Sequence, residues 1–294
     1  MNVHVKTQEK DARPRAALAT ILMCAPHHFG VDYVINPWME RQVGRTDNAR
    51  ARAQWENLRR HLSDCADLAF VTAEPGLPDM VFTANAGLVV DGAVIVSRFH
   101  ARERQPEENL FRRWFEDQGY DIAPWPEDVA FEGAGDALTD RARRLIWCGH
   151  GWRSSKLAPA LIEAVSGWPT VGLKLVDPRF YHLDTCLCPL PDGSLMYYPA
   201  AFDGESLETI RALVPAEKRI EVGEADALAF ACNAVAVGAR IFMNACSAEL
   251  GARLTTAGFA PVVTPLSEFL KAGGAAKCLT LELKRSSLRS SAAP

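Results

Sequence analysis

The sequence predicts an α/β ring of repeated ββαβ units, and two observations support that expectation. Four stretches, Ala86–Phe99, Gly135–Cys148, Cys186–Tyr198 and Asn233–Ala245, each read as strand, tight turn, strand. Their turns at Asp91-Gly92, Asp140-Arg141, Asp192-Gly193 and Gly238-Ala239 recur every 46 to 52 residues. Five polar or reactive residues, Asn85, Glu132, His182, Asn233 and Cys278, fall near the starts of successive units, separated by 47, 50, 51 and 45 residues. Equivalent positions in a closed ring of repeats converge on one axis. The spacing therefore brings a carboxylate, an imidazole and a thiol together, the parts of a cysteine-nucleophile enzyme.

In chain order, residues 1–15 are polar and charged and read as a disordered end, residues 16–284 as one domain, and the Ser/Ala/Arg tail 285–294 as disordered. Leu18–Cys24 is an apolar strand, Asp47–Leu62 a helix and Ala66–Thr72 a strand. After the first hairpin, helix Pro106–Gln118 sets Leu110, Phe111, Trp114 and Phe115 on one face, and strand Tyr120–Trp125 follows. Helix Ser155–Val165 precedes strand Thr170–Val176, Ser206–Val214 precedes Arg219–Val222, and Ser247–Ala257 precedes Ala260–Thr264, with Gly258 placed to stop the last helix. That is ββαβ four times. The fifth unit has to be completed across the termini, with Cys278–Leu283 pairing beside Leu18–Cys24, which closes the ring and removes exposed sheet edges. The competing reading is an open α/β sheet with accidental spacing.

Of the 294 residues, 48% are hydrophobic and 23% charged, as in soluble globular chains. The net charge of −4 and the shortness of clusters such as Arg141–Arg144 argue against nucleic acid. No apolar run reaches the roughly 20 residues that span a bilayer, so no membrane partner is expected and the reading is cytoplasmic. Eight cysteines without a compact framework read as reduced, buried thiols. Cys186-x-Cys188 lacks a second ligand pair, His27-His28 stands alone, and H-E-x-x-H and G-x-S-x-G are absent, so neither a metal nor a Ser-His-Asp triad is expected. Gly133-Ala134-Gly135 is too short a glycine pattern for a dinucleotide loop, and no cofactor is expected.

Cys278 follows Gly273-Gly274-Ala275-Ala276-Lys277 and is expected to open a strand, where it can face a ligand and where Lys277 can lower its pKa. A lone cysteine there is more often structural. His182 and Asp184 flank Leu183 and would share one face of a strand, able to divide proton transfer and cation binding. Glu132 lies in Phe131-Glu132-Gly133-Ala134-Gly135-Asp136, whose small residues admit a close substrate. Asp79 and Asn85 lie in Pro78-Asp79-Met80-Val81-Phe82-Thr83-Ala84-Asn85, where turn capping is the commoner use of such residues.

In order, the motifs P-D-x-V-F-x-x-N, F-E-G-x-G-D, H-L-D-T and G-G-x-x-x-C-x-T resemble the guanidine-modifying superfamily of pentein enzymes, which includes arginine deiminases, dimethylarginine hydrolases, amidinotransferases and arginine dihydrolases. The resemblance covers about Leu18 to Leu283. It implies a five-bladed, pseudosymmetric α/β propeller with a central active-site channel. It also implies Cys278 as nucleophile, His182 as general acid/base, and Glu132 and Asp184 as carboxylates holding a guanidinium, with Asp79 beside them at the substrate. Asn36, Arg104 and Arg153 would grip the α-amino and α-carboxylate groups, with Arg98 a rival to Arg104. Asn85 stands where deiminases carry a carboxylate, and F-T-A-N-A-G looks like arginine dihydrolases, which convert arginine to ornithine, ammonia and carbon dioxide. An amide donates where a carboxylate only accepts, so Asn85 is expected to tolerate a neutral ureido group. The implied partner is a small guanidino molecule, arginine or a methylated arginine, and a homo-oligomer is compatible with the fold. A deiminase, a dimethylarginine hydrolase and a non-catalytic binding pentein are the alternatives.

Overall fold

The computed structural model describes residues 19–283, and the two ends expected to be disordered, 1–15 and 285–294, lie outside them. Strand β1 (Thr20–Cys24), helix α1 (Asn48–Ser63) and strand β2 (Asp67–Val71) come first. The second unit is β3 (Gly87–Val90), β4 (Ala93–Val96), α2 (Glu107–Asp117) and β5 (Asp121–Ile122). The third is β6 (Ala137–Asp140), β7 (Leu145–His150), α3 (Ala158–Ser166) and β8 (Thr170–Lys174). The fourth is β9 (Leu187–Pro189), β10 (Leu195–Tyr197), α4 (Gly204–Leu213) and β11 (Arg219–Glu221). After a short helix α5 (Glu224–Leu228) come β12 (Val235–Val237), β13 (Arg240–Met243), α6 (Ala248–Thr256) and β14 (Ala260–Val263), then α7 (Ser267–Leu270) and β15 (Leu281–Leu283).

These strands make five three-stranded sheets, each an antiparallel hairpin extended by a parallel strand beyond a helical crossover. The fifth sheet, β15-β1-β2, draws on both ends of the chain: Leu283 pairs with Thr20 and Leu281 with Leu22, antiparallel, while β1 runs parallel to β2. The fold is thus the expected closed five-bladed α/β propeller. Phe111 and Phe115 of α2 are fully buried, as the helical spacing requires. Side-chain caps fix the starts of three crossovers: Asp47 accepts from the Arg50 N–H, Asp203 from that of Ser206 and Ser247 from that of Leu250. Gly258, with φ of +90°, follows α6 where the sequence asks for a stop. The apolar core lies between neighbouring blades; one cluster packs Trp147 and Leu173 against Leu195, Ile210 and Leu254.

The sequence reading needs correction at the inner ends of the blades. Residues 83–86, 133–135 and 183–185 are short 3-10 turns that precede β3, β6 and β9, and Cys278 lies in a turn before β15. His182 and Asp184 therefore do not share a strand face, and Cys278 does not open a strand. The local bonds Thr185 N–H to His182 O (3.2 Å) and Cys186 N–H to Leu183 O (3.1 Å) curl the chain there. The turn of the second hairpin spans Arg141–Arg144, with Arg144 at φ of 54°. Helices α5 and α7 are additions that the sequence pattern did not reveal.

Candidate active site

The five repeat-equivalent residues sit just before the inner strands β3, β6, β9, β12 and β15, so the N-terminal ends of those strands gather them around one axis. Their backbone turns interlock: the Ala84 N–H donates to Cys278 O and the Lys277 N–H to Asn233 O. Gly135 is required by close approach, because a Cβ there would run into the Asn85 amide and lie 3.4 Å from the His182 ring.

The Cys278 thiol donates to Asp184 Oδ2 at 3.2 Å and receives the Asn233 amide N–H at 3.1 Å. Asn233 also donates to Asp184 O, and its oxygen accepts the backbone N–H groups of Ala275 and Cys278. Burial pushes the thiol well above its ordinary pKa, and the adjoining Asp184 carboxylate pushes the same way. The Lys277 charge opposes the burial that lifts Asp184 to about 6. The resting nucleophile candidate is therefore a thiol hydrogen-bonded to a carboxylate, and Lys277, by favouring ionised Asp184, sustains the charge that raises the thiol pKa instead of lowering it.

His182 Nε2 lies 2.6 Å from Glu132 Oε2. That oxygen also accepts from Arg153 Nη1 at 3.0 Å, while Oε1 accepts the His100 N–H at 3.1 Å. Burial alone would raise the Glu132 pKa; Arg153 and the imidazole outweigh it and hold the carboxyl well below the usual range. Glu132 is thus hydrogen-bonded to the imidazole, to Arg153 and to the His100 N–H. Arg153 reaches Ile35 O at 2.8 Å through its other nitrogen and stacks 4.7 Å above the Tyr181 ring.

Arg104 is buried, paired bidentately with Glu107 (3.0 and 2.8 Å), and stacked 4.4 Å from the Phe99 ring. It donates to Asn85 Oδ1 at 2.8 Å, while the Asn85 amide donates to Glu132 O at 3.0 Å. The amide oxygen is engaged by Arg104 and one of its two N–H groups by Glu132 O, which leaves the second N–H as a donor. Arg98 pairs with Glu108 and is partly exposed, away from the pocket that Arg104 lines. Asn36 caps the Pro37–Met39 turn and donates to Ala272 O at 3.0 Å. Asp79 accepts from Tyr33 Oη at 3.0 Å, and burial raises its pKa.

Asp79, Asn85, Arg104, Arg153, Asn36, Tyr181 and Cys278 line one pocket with Gly273 and Gly274. Its free volume, about 10 Å3, holds roughly one water. Two buried carboxylate oxygens at this site, Asp79 Oδ1 and Asp184 Oδ1, have no hydrogen-bond partner. Buried acceptors are nearly always satisfied, so an orphaned pair beside a thiol marks where N–H donors of a cation belong. Sequence reasoning placed Asn233 among the repeat positions but gave it no part in the site; its fixed spacing was the available signal. Tyr181 and Asp136 had no such signal. Asp136 accepts from Ser154 Oγ and the Leu183 N–H, fixing the backbone next to His182. Among the described residues no group of three or more His, Cys, Asp or Glu is arranged to hold a metal ion.

The family model described as N,N dimethylarginine dimethylhydrolase, eukaryotic, matches residues 26–285. The chain is 52% identical over 263 residues to the bifunctional arginine dihydrolase/ornithine cyclodeaminase ArgZ of Synechocystis, covering 90% of this chain but 37% of that protein. It is 42% identical over 264 residues to N(G),N(G)-dimethylarginine dimethylaminohydrolase of Mycobacterium tuberculosis, covering 89% and 84% of the two. The crystal structure of the N-terminal domain of ArgZ, an arginine dihydrolase, in a cysteine-to-serine variant bound to substrate, superposes with a TM-score of 0.90 at 51% identity, over 91% of this chain and 98% of that one. An asparagine-to-serine variant of the same domain, covalently bound to a reaction intermediate, matches equally.

Proposed function

Because the chain belongs to the dimethylarginine dimethylaminohydrolase family of guanidine-modifying enzymes, we propose that it hydrolyses the guanidino group of free arginine through a thiouronium on Cys278, continuing to ornithine, two ammonia and carbon dioxide. The observation that carries this reading is the pair of orphaned oxygens, Asp79 Oδ1 and Asp184 Oδ1, beside a buried thiol. A planar cation with several N–H donors satisfies both. Its charge also offsets the two influences that raise the thiol pKa, so the nucleophile is activated on substrate binding.

In the first half-reaction Sγ attacks the guanidinium carbon, and the thiol proton passes by way of His182 to the departing nitrogen, which leaves as ammonia. Water then attacks the thiouronium with the imidazole as base, the C–S bond breaks, and a ureido group remains. Glu132 holds the imidazole in line, and Arg153 ties Glu132 to the loop bearing Ile35. In the second round Cys278 attacks the ureido carbon, a second ammonia leaves, and hydrolysis gives a carbamic acid that loses carbon dioxide.

The dihydrolase reading draws support from the high identity to ArgZ over nearly all of this chain. The chain spans about 37% of the length of that relative. The match to the Mycobacterium tuberculosis enzyme supports a second reading, hydrolysis of N-methylated arginine to citrulline. Incubation with arginine and, separately, with asymmetric dimethylarginine, measuring ammonia, citrulline, ornithine and dimethylamine together, tests both. Ornithine with two ammonia per arginine is expected; citrulline as the sole amino-acid product would replace the dihydrolase reading with a deiminase, and dimethylamine with citrulline would favour the second.

A further inference from the structure

The propeller axis has two ends. The catalytic residues occupy the N-terminal ends of the inner strands, and a separate cavity of about 430 Å3 lies along the rest of those strands. Its walls are mainly apolar, including Leu88, Ala137, Leu187, Val235 and Leu281 from all five blades. It shares no lining residue with the catalytic pocket. At its rim the hairpin-turn residue Arg141 pairs with Glu282 at 3.5 Å, both partly exposed.

Lys277 lines this cavity, although the next residue, Cys278, lines the catalytic pocket. The Lys277 ammonium reaches two carbonyls at the edge of hydrogen-bond distance, Ala134 O at 3.4 Å and Thr280 O at 3.5 Å, and forms no ion pair among the described residues. A half-buried cation without a counterion is costly. A cavity of roughly 300–1,000 Å3, largely apolar with Lys277 and the Arg141–Glu282 pair as its charged lining, has the form of a small-molecule site.

We infer that this axial cavity binds a small organic anion, one carboxylate on Lys277 and a compact apolar body against the inner strands. Arginine does not suit it, since Glu282, the one carboxylate of the lining, is already paired with Arg141. The binding is independent of which guanidino compound is hydrolysed.

Octanoate is a suitable probe, with octylamine as its cationic counterpart. Calorimetry on the full chain is expected to show one octanoate per chain, undiminished by saturating arginine, and no uptake of octylamine. Thr139→Trp, which fills the cavity from β6, is expected to weaken octanoate at least tenfold while leaving arginine turnover intact; Ala236→Phe on β12 serves the same purpose should Thr139→Trp fail to fold. Displacement of octanoate by arginine, equal binding of octylamine, or binding unaltered in a folded filling variant would each overturn the assignment, as would the absence of saturable octanoate binding.

Discussion

Asn233 makes four hydrogen bonds around the nucleophile, two through its oxygen to backbone N–H groups and two through its nitrogen to Cys278 Sγ and Asp184 O. Asn233→Asp keeps the oxygen and loses the donors, so the thiolate loses its one side-chain N–H contact. A fall of about 10²-fold in kcat is expected, comparable with the loss of one oxyanion donor, together with a rise in the pH at which Cys278 alkylates. Peptide mapping of iodoacetamide adducts across pH measures this, and mapping is needed because Cys65 and Cys246 are only half-buried. An unchanged alkylation profile would remove Asn233 from the chemistry. Asp184 supplies a pH test. Its folded pKa of about 6 means that the carboxyl is neutral, and so cannot hold a cation, below that value. kcat/KM should therefore decline as pH falls through about 6, and this limb should vanish in Asp184→Asn at the cost of overall rate. Asp136, lifted to about 6 by burial, and Glu107, lifted to about 7, titrate near the same window, and a limb that survives in Asp184→Asn belongs to one of them. Arg153→Lys gives up either the Glu132 or the Ile35 contact, so kcat should fall along with a rise in KM. A change confined to KM would mean that Arg153 touches only the unreacting end of the substrate.

Among the elements, the hairpins and crossover helices were legible because each has a local signature: a turn pair between apolar runs, a Ser or Asp cap, a glycine stop. Ser247 at the start of α6 is one such signature, since its hydroxyl accepts the Leu250 N–H and donates to Asp226. Ser247→Ala should cost about 1 kcal/mol in chemical denaturation with unaltered kcat. The 3-10 turns that carry the site were not legible. His182-Leu183-Asp184 alternates polar and apolar as a strand would, and the local i to i+3 bonds that curl it into a turn have no sequence signature. Partner choice was hidden for the same reason. Glu132 and His182 are 50 residues apart, and no local pattern says that the carboxylate meets the imidazole. Gly135→Ala tests how tight that junction is: its methyl displaces the Asn85 amide, and a loss of activity in a folded protein is expected. Near-normal turnover would show that the turn has room to move.

At the scale of the whole molecule, the closed ring should unfold as one unit, because each apolar cluster joins elements of neighbouring blades and β15 locks the first blade to the last. Far-UV circular dichroism and tryptophan fluorescence should report coincident transitions, and Leu281→Ala, which empties a buried position on β15, should lower stability by about 2–5 kcal/mol in both. Separated transitions would mean that blades melt independently. The sequence revealed this closure because an apolar strand at each end lacked a local partner; it did not reveal the cavity on the far side of the axis, which is a void between strands and leaves no mark on any one of them. The pairing of β15 with β1 has a further meaning for a chain made from its N-terminus onward. Asp184 emerges 94 residues before Cys278, and β1 emerges before any other element of the ring. Every other residue named at the site is therefore synthesised before the sulfur of Cys278, and the strand that closes the ring is made only after it.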